Sequence, residues 1–150
     1  MHANIRWMLK RDLPEALEIA ASSDHPVDED WLVARLRRRD CIGRVAEHSE
    51  RVVGFSVYLL RARKLDLEYF CVHPGFRGQG VGGRLVADLQ SKLSPLTGKR
   101  CVLDCMIRET DLELLQFFRH FGFVGSLWPG QFGDVDGVRM RYDVRELAVA

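Results

Sequence analysis

Four of the six residues Gly78-Gln79-Gly80-Val81-Gly82-Gly83 are glycine. The run lies between an extended apolar segment ending at Val72 and a segment with apolar residues at Val81, Leu85, Leu89 and Leu93. The first segment reads as a strand and the second as one stripe of a helix. A strand that passes through glycines into a helix brings backbone N–H groups and the positive end of a helix dipole to one place. That is a cradle for an anion, and Arg77 adds formal charge beside it. A plain turn needs fewer glycines, so the run points to a phosphate-bearing ligand.

Two nucleotide patterns can be tested against it. Residues Gly78 to Gly83 satisfy G-x-G-x-x-G, and Asp104 lies about twenty residues further on, where a ribose-binding acid would stand. Against this, five residues separate Val72 from Gly78, whereas the dinucleotide turn is tight, and about 65 residues of other elements come first. A P-loop is excluded because no Lys-Ser or Lys-Thr follows the glycines.

The remaining patterns predict an α/β chain. Residues 5–9 read as a strand. Asp12 and Glu15 fit a capping box with Pro14 in the first turn of a helix. Asp28 opens a second helix, acidic at its start and closing in Arg35, Arg37, Arg38 and Arg39, which suits the helix dipole. Such an arginine run is by default a solvated face. Strands follow over 41–48, 51–61 and 65–72, then a helix over 81–93 ended by Pro95 and Gly98. A strand over 100–107 leads to a second capping box, Thr110 with Glu113, and a helix stopped by Gly122. Strands over 123–128 and 135–144 end the chain, joined by a loop carrying Pro129 and glycines. The order β-α-α-β-β-β-α-β-α-β-β predicts a central mixed, largely antiparallel sheet of about seven strands with helices on both faces.

At 150 residues this is expected to be one domain, 1–150, with enough chain to bury a core. Lys and Arg number 22 against 21 Asp and Glu, a balance that argues against broad nucleic-acid binding. No apolar stretch approaches the roughly 20 residues of a membrane span. The first ten residues lack the basic start and apolar run of a secretory signal, so the expected location is cytoplasmic. Cys41, Cys71, Cys101 and Cys105 lack the paired spacing of a zinc site. They read as reduced thiols, three of them in strand-like text, and no metal is expected.

The cradle resembles the pyrophosphate loop of the GNAT N-acetyltransferases, whose pattern of Arg or Gln, two residues, Gly, one residue, then Gly or Ala is met by Arg77-Gly78-Gln79-Gly80-Val81-Gly82. Cys71-Val72-His73-Pro74 resembles the strand ending that precedes it. Residues Arg108 to Phe123 resemble the family's R-x-S-N-x-x-A-x-x-L-Y-x-x-x-G-F segment. Within the superfamily the chain is most similar to RimI-like enzymes that acetylate protein N-termini. There the connection carrying Trp128-Pro129 helps cover the acceptor.

The resemblance implies acetyl-CoA as co-substrate and a primary amine, a peptide N-terminus or a small molecule, as acceptor. It implies no nucleic acid or membrane partner, and a monomer or homodimer. Its implied cofactor contacts are Phe70, Cys71, Val72, Arg77, Gly78, Gln79, Gly80, Val81, Gly82, Gly83, Asp111 and Phe118. A strand acid, Glu68 or Asp66, would take the amine proton; the alternative for both is an edge charge paired with Arg61 or Arg63. RimI-like enzymes can carry the base at the position of Met106, which methionine cannot serve. His73 holds a position that is usually structural. Phe118 stands where the family has its thiol-protonating tyrosine, so Tyr142, Tyr58 or water would have to substitute. Asp111 replaces an asparagine and can accept but not donate there. These departures leave a second class open, an acetyl-CoA-binding sensor or assembly module with little turnover, beside the third, a dinucleotide-binding protein.

Overall fold

A computed structural model describes residues 2–147. Seven strands form one sheet in the order β1-β2-β3-β4-β5-β7-β6. They are β1 (Asn4–Trp7), β2 (Cys41–His48), β3 (Arg51–Leu60), β4 (Lys64–Val72), β5 (Val102–Arg108), β6 (Val124–Phe132) and β7 (Val135–Asp143). The helices are α1 (Leu13–Ala21), α2 (Glu29–Leu36), α3 (Val81–Gln90), α4 (Leu112–His120) and a short α5 (Val144–Leu147). The order of elements and the mixed, mainly antiparallel sheet are as the sequence predicts. The parallel pairing is β4 with β5, from Lys64↔Val102 to Leu67↔Cys105.

The chain divides into two compact units. The first runs to Leu60 and resumes over Glu68–Ser91; the second holds Arg61–Leu67 and the described residues from Lys92 on.

In the first unit, alternation along the strands sends neighbours to opposite faces. Val45 joins the buried cluster of Ala16, Ile19, Leu32, Phe55 and Val57 beneath α1 and α2. Ala46, the next residue, joins Val53, Val81 and Leu85 beneath α3. Helices thus cover both faces. Gly54 lets α3 sit close: a Cβ there would lie 3.1 Å from the Cys71 carbonyl oxygen and 3.2 Å from Val81 and Leu85 side-chain carbons. The β2–β3 hairpin turns through Ser49 and Glu50, both at positive φ.

In the second unit, α4 ends on Gly122 at φ +91°, with Gly122 N–H bonded to the Arg119 carbonyl and Phe123 N–H to that of Phe118. This double closure requires a left-handed residue, which glycine supplies without strain.

Three local expectations are corrected. Asp12 does not cap α1: its backbone is helical, and its buried carboxylate accepts from Arg6 Nη1 at 2.8 Å and from Leu9 N–H at 2.7 Å. Glu15 instead accepts from Val52 N–H. The cap of α4 is Asp111, which accepts from Leu114 N–H at 3.2 Å, one residue after Thr110. Trp128 and Pro129 lie inside β6, at a register shift between Trp128 and Phe132, and the chain reverses at Gly133 and Asp134.

Candidate active site

The glycine run joins the end of β4 to the start of α3, as its composition suggests. His73 N–H binds the Val53 carbonyl at 2.8 Å, anchoring the end of β4. His73 Nδ1 accepts from Gly75 N–H at 2.9 Å and its ring stands edge-on to Phe76, so this histidine shapes the turn. Arg77 Nε donates to the Val72 carbonyl at 3.3 Å, and Gln79 Nε2 to that of Gly75. Gly80 caps α3 at φ +86° and offers no side chain to the helix. The first helical bond runs from Arg84 N–H to the Gly80 carbonyl. The N–H groups of Val81, Gly82 and Gly83 precede it and have no acceptor within the helix. Side chains at Gly78 or Gly80 would meet no atom within 4 Å, so the backbone is open to a ligand. Phe70 and Val72 pack toward the α3 cluster, while Cys71 is buried toward α1 with its thiol 3.7 Å from the Ile19 carbonyl oxygen.

The β4 acids have different partners. Asp66 pairs with Arg61 Nε at 3.1 Å and Lys64 Nζ at 3.3 Å. Lys64 also reaches Asp104, which Arg141 holds by two 2.7 Å bonds. Burial acts to raise the Asp104 carboxyl, but the bonds from Arg141 and Lys64 outweigh it and hold the group below the usual carboxylate range. Glu68 pairs with Arg35 of α2 at 3.0 Å. The Arg35 guanidinium also lies over the Trp31 ring, and Trp31 meets the Tyr69 ring at 5.9 Å. Consecutive residues Glu68 and Tyr69 therefore both reach α2, where strict alternation would send them apart. Tyr69 Oη lies 3.0 Å from Ser23 Oγ and donates to the His25 carbonyl, tying the α1–α2 loop to β4. Beside Glu68, burial and then that carboxylate push the Cys41 thiol up to about 11, so it stays protonated at neutral pH. All four cysteines are unbridged.

In the second unit Phe118 is fully buried, edge-on to Phe117 at 5.2 Å and Phe123 at 5.0 Å. Tyr142 is half-buried, its ring 5.6 Å from that of Phe123 and covering Gly122. Asp111 is occupied as the α4 cap. Arg139 lies over the Trp128 ring at 5.1 Å and Arg108 over Phe132 at 4.5 Å. From the sequence Arg35 reads as part of a solvated face, and Tyr69 is not singled out; the structure pairs Arg35 with Glu68. The available signal was the four-residue spacing of Trp31 and Arg35, which puts them on one helix face. Among the described residues no cluster of three metal-ligating side chains occurs, and no helix is long and apolar enough to cross a membrane.

Residues 39–125 match the model of the family described as "Acetyltransferase (GNAT) domain". The ribosomal-protein-S18-alanine N-acetyltransferase from Escherichia coli superposes with a TM-score of 0.81 at 17% identity, covering 95% of this chain and 94% of the other. A GNAT family acetyltransferase from Elizabethkingia anophelis, solved with acetyl-CoA bound, superposes with a TM-score of 0.76 at 15% identity, covering 94% and 97%. A curated relative, the spore coat polysaccharide biosynthesis protein SpsD of Bacillus subtilis (strain 168), is 22% identical over 120 residues, 75% of this chain and 41% of the relative. The chain thus spans about two-fifths of that curated relative's length.

Proposed function

The chain belongs to the GNAT acetyltransferase domain family, and from that premise we propose that it moves an acetyl group from acetyl-CoA to a primary amine, a protein N-terminus or a small molecule. The observation that supports this reading is the start of α3, which has no side-chain cap, where Gly80 stands at φ +86° and a Cβ at Gly78 or Gly80 would meet no atom within 4 Å, so that an anion can approach the helix N-terminus. These residues fit a pyrophosphate. Arg77, Gly78, Gln79, Gly80, Val81, Gly82 and Gly83 would hold it, and the backbone of Phe70, Cys71 and Val72 would bind the pantetheine arm as an added strand. A backbone N–H on this part of β4 would stabilise the carbonyl oxygen as charge develops. The thioester supplies an activated acetyl carbon and a thiolate that leaves as the C–N bond forms and the C–S bond breaks.

The chain's own residues have the remaining tasks. Glu68 takes the proton from the acceptor ammonium, its carboxylate oriented by Arg35. Asp66, held by two cations, supports the same strand. Tyr142 is the hydroxyl we assign to protonating the leaving thiolate, because Phe118 has none. Residues 1–150 act as one domain, since the family match runs through residues of both units. We further infer a cytoplasmic protein working as a monomer or homodimer. A second reading, an acetyl-CoA-binding sensor with little turnover, is favoured by the burial of Phe118 at the tyrosine position.

Calorimetry with acetyl-CoA and NADH tests the first claim: acetyl-CoA binds and NADH does not. Thiol release over peptides beginning Ala, Ser, Met or Gly, with lysine, polyamines and amino sugars, then separates enzyme from sensor. Binding without release on any acceptor would favour the sensor.

A further inference from the structure

On the face of the second unit formed by β5, β7 and β6, charges run in rows set by the strand register. Asp104 stands opposite Arg141, Met106 opposite Arg139, and Arg108 opposite Gly137. The first row is neutralised by the ion pair of Asp104 with Arg141, to which Lys64 adds. The next two rows carry Arg139 and Arg108, and neither closes an ion pair with a carboxylate among the described residues. As diagonal neighbours their Cβ atoms lie about 7 Å apart. Asp136, on the same hairpin, accepts from Gly130 N–H at 2.7 Å.

Each guanidinium instead lies on an aromatic ring, Arg139 on Trp128 and Arg108 on Phe132. A ring covers the face of a guanidinium but leaves the N–H donors around its edge free. Arg139 Nε is buried with no hydrogen-bond partner, an arrangement a native protein rarely keeps without a use. The Met106 thioether and the Gln131 side chain both lean over Gly137, where a Cβ would come within 2.8 Å of the thioether sulfur and of Gln131 Cβ. The result is a floor built from Met106 and Gln131, flanked by two oriented cations.

We propose that Arg108 and Arg139 form an anion subsite that takes a carboxylate carried by the acceptor amine. The assignment of that carboxylate to the acceptor rests on the acetyl-transfer reading, in which Met106 and the hairpin of Trp128 belong to the acceptor side. Two fixed guanidinium forks select an oxyanion over an amide of the same shape, because the amide brings no charge to their charge-assisted hydrogen bonds. The acceptor is therefore an amine that also carries an acidic group.

The test uses twins that differ only in that charge: a peptide with glutamate in second position against one with glutamine, and free glutamate against free glutamine. Each is measured for kcat/KM with acetyl-CoA and, without acetyl-CoA, for binding by NMR titration. The acidic twin of one pair should be preferred by about tenfold or more in both measurements. Which pair shows it identifies the source of the carboxylate. In Arg108→Met and Arg139→Met the ratio should fall toward one, in Arg139→Lys it should be partly restored, and in Arg119→Gln, on the exposed face of α4, it should persist. Thermal melting checks that each variant folds, and Arg139→Lys reads the site if Arg139→Met does not. Equal twins in both pairs, or a preference that survives both arginine changes, would overturn the proposal. Failure to bind acetyl-CoA would sink the acetyl-transfer reading and the assignment of the carboxylate to an acceptor, while the titration, run without acetyl-CoA, still decides whether the two arginines bind an oxyanion.

Discussion

Arg35 Nη2 and Glu68 Oε2 are 3.0 Å apart, joining the last turn of α2 to the middle of β4. The pair turns a flexible strand carboxylate into an oriented one. If Glu68 takes the amine proton, Glu68→Gln lowers kcat by about 10²- to 10⁴-fold. Acetyl-CoA affinity stays at the wild-type value. Steady-state kinetics with calorimetry check this, and an unchanged kcat would leave Glu68 only as the partner of Arg35.

Gly80→Val strikes the cradle in two ways. It forces a β-branched residue to φ +86° and places methyl groups where the ligand would approach. Acetyl-CoA binding should weaken at least tenfold, about 1.4 kcal/mol or more. Calorimetry reads the effect, with circular dichroism to confirm the fold. Retained affinity would move the phosphate site away from α3.

Phe118 has no exposed surface and sits among the rings of Phe117 and Phe123. Phe118→Ala should cost about 3–5 kcal/mol in urea unfolding, the sum of lost transfer energy and a cavity. Phe118→Tyr should cost about 1–3 kcal/mol if its hydroxyl is buried unpaired. A rise in kcat with that substitution would instead give the hydroxyl the leaving thiolate as its partner.

Asp12 is a stability element with a predictable acid limb. The hydrogen bond from Arg6 holds its carboxyl below the usual carboxylate range, against the opposing effect of burial. A depressed folded-state value means the contribution is complete above the unfolded value of about 3.9 and is lost as pH falls through the lower folded value. Asp12→Asn should therefore destabilise by about 1.5–3 kcal/mol at neutral pH, the usual worth of a charge-assisted bond. The gap between variant and wild type should close in strong acid. Denaturant midpoints across pH would show it, and a gap constant with pH would contradict the assignment.

Local patterns misled where two neighbours offered the same chemistry. Thr110 and Asp111 can each cap α4, and the spacing to Glu113 favours the threonine, yet Asp111 accepts the Leu114 N–H. At α1 the capping pattern was complete, but Arg6 offered Asp12 a cation and drew the carboxylate away from the helix end. A motif records what a residue can do over four positions of chain; a charged partner from another element outbids a neutral N–H.

Element order, the bounds of β2, the left-handed stop at Gly122 and the glycine-bearing start of α3 were all legible in the chain. Each depends on forces acting within a few residues: alternation of apolar side chains, the missing Cβ of glycine, and the free N–H groups of a helix start. The pairing of Glu68 with Arg35, the engagement of Asp66 by Arg61 and Lys64, the burial of Phe118 and the absence, among the described residues, of an ion pair to Arg108 or Arg139 were not. Arg35 and Glu68 are 33 positions apart, and as a sequence the arginine run after Val33 reads as a solvated face. Which charge meets which, and which is left without a partner, depends on the strand register and on the face of the sheet that each helix covers. Those are properties of the assembled sheet, because Coulomb and hydrogen-bond energies follow distance in space and take no account of distance along the chain.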